Sequence, residues 1–189
     1  MNSTKTKLKE VLLLEPTVFN DSRGFFLESY NENTLKNVGI NTHFVQDNHS
    51  RSKGNVLRGL HYQLGKPQAK LVRVIQGEVF DVAIDIRRGS PTFGEWVSEC
   101  LSAENKRQMY IPEGFAHGFL VLSDYAEFEY KCSDYYTPEE QRGIIWNDPK
   151  IAINWPINDG RKLILSEKDA VLPKLDEMVL EDLPVYPGS

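Results

Sequence analysis

Four polar side chains stand where strand periodicity would place core residues. His61 follows Leu57 and Gly59 at two-residue spacing, and Lys70 alternates with Val72 and Val74. His117 alternates with Phe119 and Val121, and Tyr130 falls between Phe128 and Cys132 in the same rhythm. Residues two apart on a strand share a face, so if the apolar members line an interior the polar ones line it too. The residue types are those of acid–base chemistry. An imidazole exchanges protons near neutral pH, and a phenol ionises near pH 10, so it holds a proton to give. A buried lysine is rare without a partner or a task. Each has a plainer reading: a strand histidine is more often structural, an inward tyrosine usually belongs to the core, and a lysine near a strand start can snorkel outward. Four on different strands together point to a polar-lined cavity.

The elements that must position them are short and strand-like. The clearest is 78–86, where Phe80, Val82, Ile84 and Ile86 alternate with Val79, Asp81, Ala83 and Asp85. Similar runs lie at 11–14, 25–30, 44–48, 56–63, 71–76, 95–101, 108–111, 117–122 and 126–132, punctuated by Gly, Pro, Asn and Asp. Residues 31–38 are one of the few helical candidates, with Gly39 as the stop. Many short strands with little helix imply an all-β sandwich or barrel. The sequence shows no repeat or linker, and 189 residues suit one domain, 1–189. Its core spans about 8–172, and 173–189 reads as a tail wrapping the surface.

Hydrophobic residues make up 40% and charged residues 26% of the chain, ordinary for a globular protein. The net charge of −5 argues against a general nucleic-acid or membrane-surface binder, so an anionic ligand would need a local basic pocket. No apolar run approaches the roughly 18 residues that span a bilayer, and the lysine-rich start lacks the apolar core of a signal peptide. Cys100 and Cys132 form no CxxC pair and read as reduced, buried thiols of a cytoplasmic protein.

Two blocks resemble the cupin pattern. The first is Arg58, Gly59, Leu60, His61, Tyr62 and Gln63, followed by Lys70 and Gly77; the second runs from Pro112 through Gly114 to His117. Metal-binding cupins place three histidines and a glutamate there. This chain keeps His61 and His117 but carries Gln63 and Lys70 at the other two places. An ammonium repels a cation and does not ligate it, so no catalytic metal is expected.

Eight segments, in order and including these blocks, resemble the dTDP-4-dehydrorhamnose 3,5-epimerase family, whose members are cupin-type jelly rolls. They are 21–28 around Arg23 and Phe26, Gln46-Asp47-Asn48, 57–63, 68–72 around Lys70, 111–119 around His117, 130–136, Trp146-Asn147-Asp148-Pro149, and 165–169. The resemblance implies a dTDP-linked 4-keto-6-deoxyhexose as substrate. The C4 ketone acidifies the C–H bonds at C3 and C5, so proton removal and return from the other face inverts each centre. It implies no cofactor, and the sequence carries no GxGxxG element for a dinucleotide. By the same match His61 is the base, Asp169 the carboxylate that orients it, Tyr130 the proton donor and Lys70 the charge beside O4. Tyr136 matches a residue that stacks on the nucleotide base. Arg23 and Arg58 match substrate-binding positions, their planar forks suiting phosphate oxygens. Lys168, Glu28, Gln46, Asn48, His117 and Gln141 complete the expected contacts. Phe26 is read either as core or as a flank for the base.

The family forms homodimers, which makes 11–14 and 25–30 expected pairing edges; Arg23 and Glu28 would then reach the partner's pocket. Three alternatives stay open at this level. One is a mono-epimerase inverting only C3 or C5, another a non-catalytic carbohydrate-binding jelly roll, and the third a metal cupin.

Overall fold

Strand periodicity is realised over most of the chain. The computed structural model describes residues 1–157 and 162–187. Its elements, in chain order, are β1 (Asn2–Lys5), β2 (Leu12–Glu15), β3 (Val18–Asp21), β4 (Gly24–Leu27), α1 (Glu32–Asn37), β5 (Gln46–Lys53) and β6 (Leu57–Gln63). Then come β7 (Lys70–Gln76), β8 (Glu78–Asp85), β9 (Trp96–Ser102), β10 (Gln108–Ile111), β11 (Phe115–Val121), β12 (Tyr125–Cys132) and β13 (Gln141–Gly143). The remaining helical pieces are single 3-10 turns, among them Pro138–Glu140 and Asp169–Val171. This is an all-β, cupin-type jelly roll with a few short helices.

Two antiparallel sheets face each other. One has the order β1-β2-β10-β7-β12-β5 and the other β13-β6-β11-β8-β9. Between them lies the main core, where Leu13, Val72, Val74, Met109 and Phe128 of the first sheet meet Val79, Ala83, Leu101, Phe119 and Val121 of the second. Phe119 and Phe128 stack across the gap with ring centroids 4.3 Å apart. Burial of each of these side chains larger than alanine stabilises the fold by about 1.5–3 kcal/mol. Strand β8 is apolar on both faces because Val82 and Ile84 point the other way, into a second cluster with Leu57, Leu60, Leu120, Ile144, Trp155, Leu175 and Leu183. The chain after β13 covers that outer face: Ile145 N–H donates to the Pro173 carbonyl at 2.8 Å and Arg88 N–H to that of Pro184 at 2.8 Å. Of the tail, 188–189 lie outside the described residues.

Helix α1 forms where expected. The Asn31 side chain accepts from the N–H groups of Asn33 and Thr34, and Gly39 at φ +90° ends it. Leu35 and Ile40 dock against Leu14 and Leu71 on the outer face of the six-stranded sheet.

Several local expectations change. The run at 11–14 is not an edge, because β2 pairs with β1 on one side and β10 on the other. Strand β1 was not foreseen, since Asn2–Lys5 is exposed at every residue and has no apolar alternation to signal it. The 25–30 run stops at Leu27 and pairs only with β3 in a separate hairpin. Cys100 is exposed on β9 and unbridged, whereas Cys132 is buried.

Candidate active site

Strand β6 is irregular at its centre, and that irregularity builds the site. His61 pairs with His117, but Arg58 pairs with Phe119, so two residues of β6 stand against the single Gly118 of β11. This bulge reverses the alternation. Leu57 packs into the outer cluster, while Arg58 and His61 both face the cavity between the sheets. Gly59 permits it: at φ +111° it lies so close to β11 that a Cβ would sit 2.6 Å from the Gly118 Cα and from the His117 carbonyl oxygen.

The cavity has a volume of about 630 Å³. The five-stranded sheet contributes His61 and His117, and the six-stranded sheet contributes Lys70 and Tyr130 from the opposite side. Gln141 lines it from β13, and Tyr136, Lys168 and Asp169 line it from the segments outside the strands. A contiguous chamber of about 290 Å³ shares His61, Lys70, Tyr130, Tyr136 and Gln141, and adds Gln46, Asn48, Tyr62, Gln63, Gln68 and Cys132.

Asp169 opens its 3-10 turn with its carboxylate against His61: Nε2–H donates to Oδ1 at 2.6 Å. The Ser166 hydroxyl accepts from the Asp169 N–H at 3.0 Å and fixes the turn. Burial pushes this carboxyl up, but hydrogen bonds from His61, Ser166 and the Gly59 N–H outweigh it and hold the group below the usual carboxylate range. The pairing leaves Nδ1 of His61 as the ring nitrogen available to take a proton.

His117 is anchored differently. Its Nε2 lies 3.1 and 3.0 Å from the two oxygens of Asp81, which is fully buried on β8. Burial lowers the His117 pKa despite the neighbouring carboxylate, which favours a neutral imidazole. Lys70 is pushed down by burial, with Cys132 and Asp81 pulling back, and burial raises the Tyr130 phenol. Among the described residues no carboxylate lies within ion-pair distance of Lys70, Arg58 or Lys168, although the protein is acidic overall. Three cations without carboxylate partners around one cavity suit an anionic ligand. The arrangement offers an oriented base, a phenol on the facing sheet and a positive lining.

The family model described as dTDP-4-dehydrorhamnose 3,5-epimerase matches residues 5–177. The chain belongs to the dTDP-4-dehydrorhamnose 3,5-epimerase family. A dTDP-4-dehydrorhamnose 3,5-epimerase of Pseudomonas aeruginosa is 61% identical over 170 residues, covering 89% of this chain and 93% of its own. One of Salmonella typhimurium is 58% identical, covering 94% of this chain and 97% of its own. A dTDP-6-deoxy-D-glucose-3,5-epimerase from Legionella pneumophila, solved in complex with dTDP-4-keto-L-rhamnose, superposes with a TM-score of 0.96 at 52% identity over 99% of both chains. These relatives place the chain among isomerases of the dTDP-rhamnose pathway.

Within this epimerase fold the expected residues divide into three groups. His61, Lys70, Tyr130, Asp169, His117, Arg58, Tyr136, Gln141 and Lys168 converge on the main cavity, and Gln46 and Asn48 line the adjoining chamber. Arg23, Phe26 and Glu28 line neither. Arg23 pairs with Asp21 at 2.6 Å at the β3–β4 turn, Phe26 is 69% exposed, and Glu28 accepts from Asn31 and Thr34 at 2.9 Å each. Sequence reasoning missed Asp81 and Ser166. Asp81 had a signal, a carboxylate between Val79 and Ala83 on a strand apolar on both faces. Ser166 has none beyond its place three residues before Asp169.

Gln63 stands at one cupin ligand place with its amide committed elsewhere: Nε2 donates to the Lys66 and Tyr135 carbonyls, and Oε1 accepts from the Thr137 N–H. With the Lys70 ammonium at the other place, this donor set does not suit a divalent cation.

Proposed function

We propose that this protein converts dTDP-4-dehydro-6-deoxy-D-glucose to dTDP-4-dehydro-L-rhamnose by inverting C3 and C5 without a cofactor. The observation that carries the reading is the oriented His61–Asp169 pair, 2.6 Å apart, in a cavity whose facing sheet supplies Tyr130.

In this reading Nδ1 of His61 removes the proton beside the C4 ketone. Asp169 holds the tautomer and stabilises the imidazolium. Charge develops on O4, where the Lys70 ammonium stabilises it within a low-dielectric site. Tyr130, whose raised pKa keeps the phenol protonated at neutral pH, returns a proton from the opposite face, and proton exchange with solvent then restores the neutral imidazole and the phenol before the second centre reacts. Inversion requires two groups on opposite faces of one carbon, and the two-sheet origin of His61 and Tyr130 supports that division. His117, anchored on Asp81 and kept neutral by burial, contacts the sugar.

Arg58 and Lys168 take the diphosphate, Tyr136 stacks on thymine, and Gln141, Gln46 and Asn48 complete the contacts. The protein acts in the cytoplasm as a single domain, 1–189, and as a homodimer. Support for the dimer comes from the β3–β4 hairpin, which joins neither large sheet and exposes Phe19, Phe25 and Phe26 at 62%, 57% and 69%. Docked on a second copy, that hairpin would carry Arg23, Phe26 and Glu28 into the partner's cavity.

Incubation with dTDP-4-dehydro-6-deoxy-D-glucose, followed by determination of product stereochemistry, tests the reading. Inversion at both centres is expected. Retention of the substrate while it still binds would leave a carbohydrate-binding jelly roll instead.

A further inference from the structure

We propose that Gln63, at the wall of the adjoining chamber with both ends of its amide committed to backbone groups, is a positioning residue that sets affinity for the base end of the substrate by fixing the segment that carries Tyr136. The inference rests on the functional reading above, in which Tyr136 stacks on the nucleobase. Tyr136 sits in the segment 133–137, between β12 and the 3-10 turn Pro138–Glu140. That segment belongs to no strand, and Tyr136 is 50% exposed. Its shape comes instead from side-chain amides.

Gln63 is 5% exposed at the end of β6. Its Nε2 donates to the Tyr135 carbonyl at 3.2 Å and to that of Lys66 at 2.8 Å, while its Oε1 accepts from the Thr137 N–H at 2.6 Å. The two bonds to 135 and 137 bracket Tyr136. Gln68 donates to the Asp134 carbonyl at 2.7 Å, and Gln46 Oε1 accepts from the Tyr136 N–H itself at 2.9 Å. The phenol hydroxyl donates to Gln141.

A stacking ring binds tightly only if its backbone is fixed beforehand, since ordering it on binding costs affinity. Among the described residues Gln63 is the one side chain that bonds the backbone on both sides of Tyr136, and it needs its donors and its acceptor at once. A carboxylate there loses both donors and faces two carbonyl oxygens, a buried mismatch.

The test is Gln63→Glu, with dTDP and inorganic pyrophosphate as separate probes in calorimetry, alongside KM and kcat. The dTDP Kd and the KM are expected to rise by about tenfold, the range of one lost base stack. The pyrophosphate Kd and kcat are expected to stay within about twofold, because only base binding is lost. Equal weakening of dTDP and pyrophosphate, or no change in either, would overturn the proposal. Should Gln63→Glu fail to fold by circular dichroism, Gln68→Ala decides. It removes one strut of the same segment from a half-buried position, and a selective rise in dTDP Kd of about threefold is expected; an unchanged value overturns the proposal. The dTDP measurement does not depend on turnover, so a native protein that binds dTDP selectively but inverts no centre would sink the functional reading alone.

Discussion

Nε2 of His61 lies 2.6 Å from Oδ1 of Asp169, joining strand β6 to a 3-10 turn 108 positions later in the chain. The turn is held by Ser166 and the strand by its bulge against Gly118, so both partners are fixed before any ligand arrives. Preorganisation of this kind lets a weak base act without rearrangement during the reaction.

His61→Asn and Asp169→Asn separate the base from its support. Loss of the base is expected to lower kcat by roughly 10²–10⁴-fold, the usual contribution of general base catalysis. Asp169→Asn reverses the hydrogen bond that selects the tautomer and is expected to lower kcat within the same range. Substrate binding should survive in both, as read by calorimetry with dTDP. An Asp169→Asn protein with native kcat would remove the carboxylate from the account.

The same carboxylate sets an acid limit on stability. Its folded pKa is below the unfolded value, so its stabilisation is present above the unfolded value of about 3.9 and is lost as pH falls through the lower folded value. Denaturant midpoints of the native protein and Asp169→Asn should therefore differ at pH 7 and converge as pH drops below about 4. A constant gap across that window would contradict the assignment.

Asp81 supports the second histidine from a fully buried position. Asp81→Ala leaves the His117 N–H without an acceptor in the interior, at an expected cost of about 1–3 kcal/mol in urea unfolding. Asp81→Asn keeps an acceptor oxygen and should recover part of that loss. If the alanine variant is as stable as the native protein, the pair is not a structural anchor.

Phe26 tests the proposed assembly. A carboxylate in an apolar contact between copies is strongly disfavoured, so Phe26→Glu should shift the protein toward monomer in sedimentation velocity while leaving the monomer folded. Loss of activity should accompany the shift, because Arg23 and Glu28 would no longer reach a partner's cavity. An unchanged sedimentation coefficient would move the interface elsewhere.

Much of the fold was legible because strand periodicity is a local property. The runs at 71–76, 78–86, 108–111 and 126–132 appear as β7, β8, β10 and β12 with small boundary shifts. His117, Lys70 and Tyr130 were placed inward correctly for the stated reason. His61 was placed correctly although the spacing argument fails at that strand: Leu57, its supposed face-mate, packs outward, and the bulge at Gly59 restores His61 to the cavity. Bulges leave no periodic trace, so alternation alone could not find this one. Strand β1 was hidden by its polarity, and β13 by being three residues long. Of the site, the partnership of His61 with Asp169 came from family resemblance, since sequence separation carries no distance. Ser166 and the amide cradle around Tyr136 were illegible because they act through backbone groups, which any residue possesses.

The central claim is that His61 and Tyr130 exchange protons at two carbons beside one ketone. Incubation of the native protein with dTDP-4-dehydro-6-deoxy-D-glucose in D2O, followed by NMR of the product, tests it most directly. Deuterium at both C3 and C5, with both centres inverted and with incorporation abolished by His61→Asn, is the predicted result. Exchange at one centre only would reduce the protein to a mono-epimerase, and no exchange at either would contradict the account.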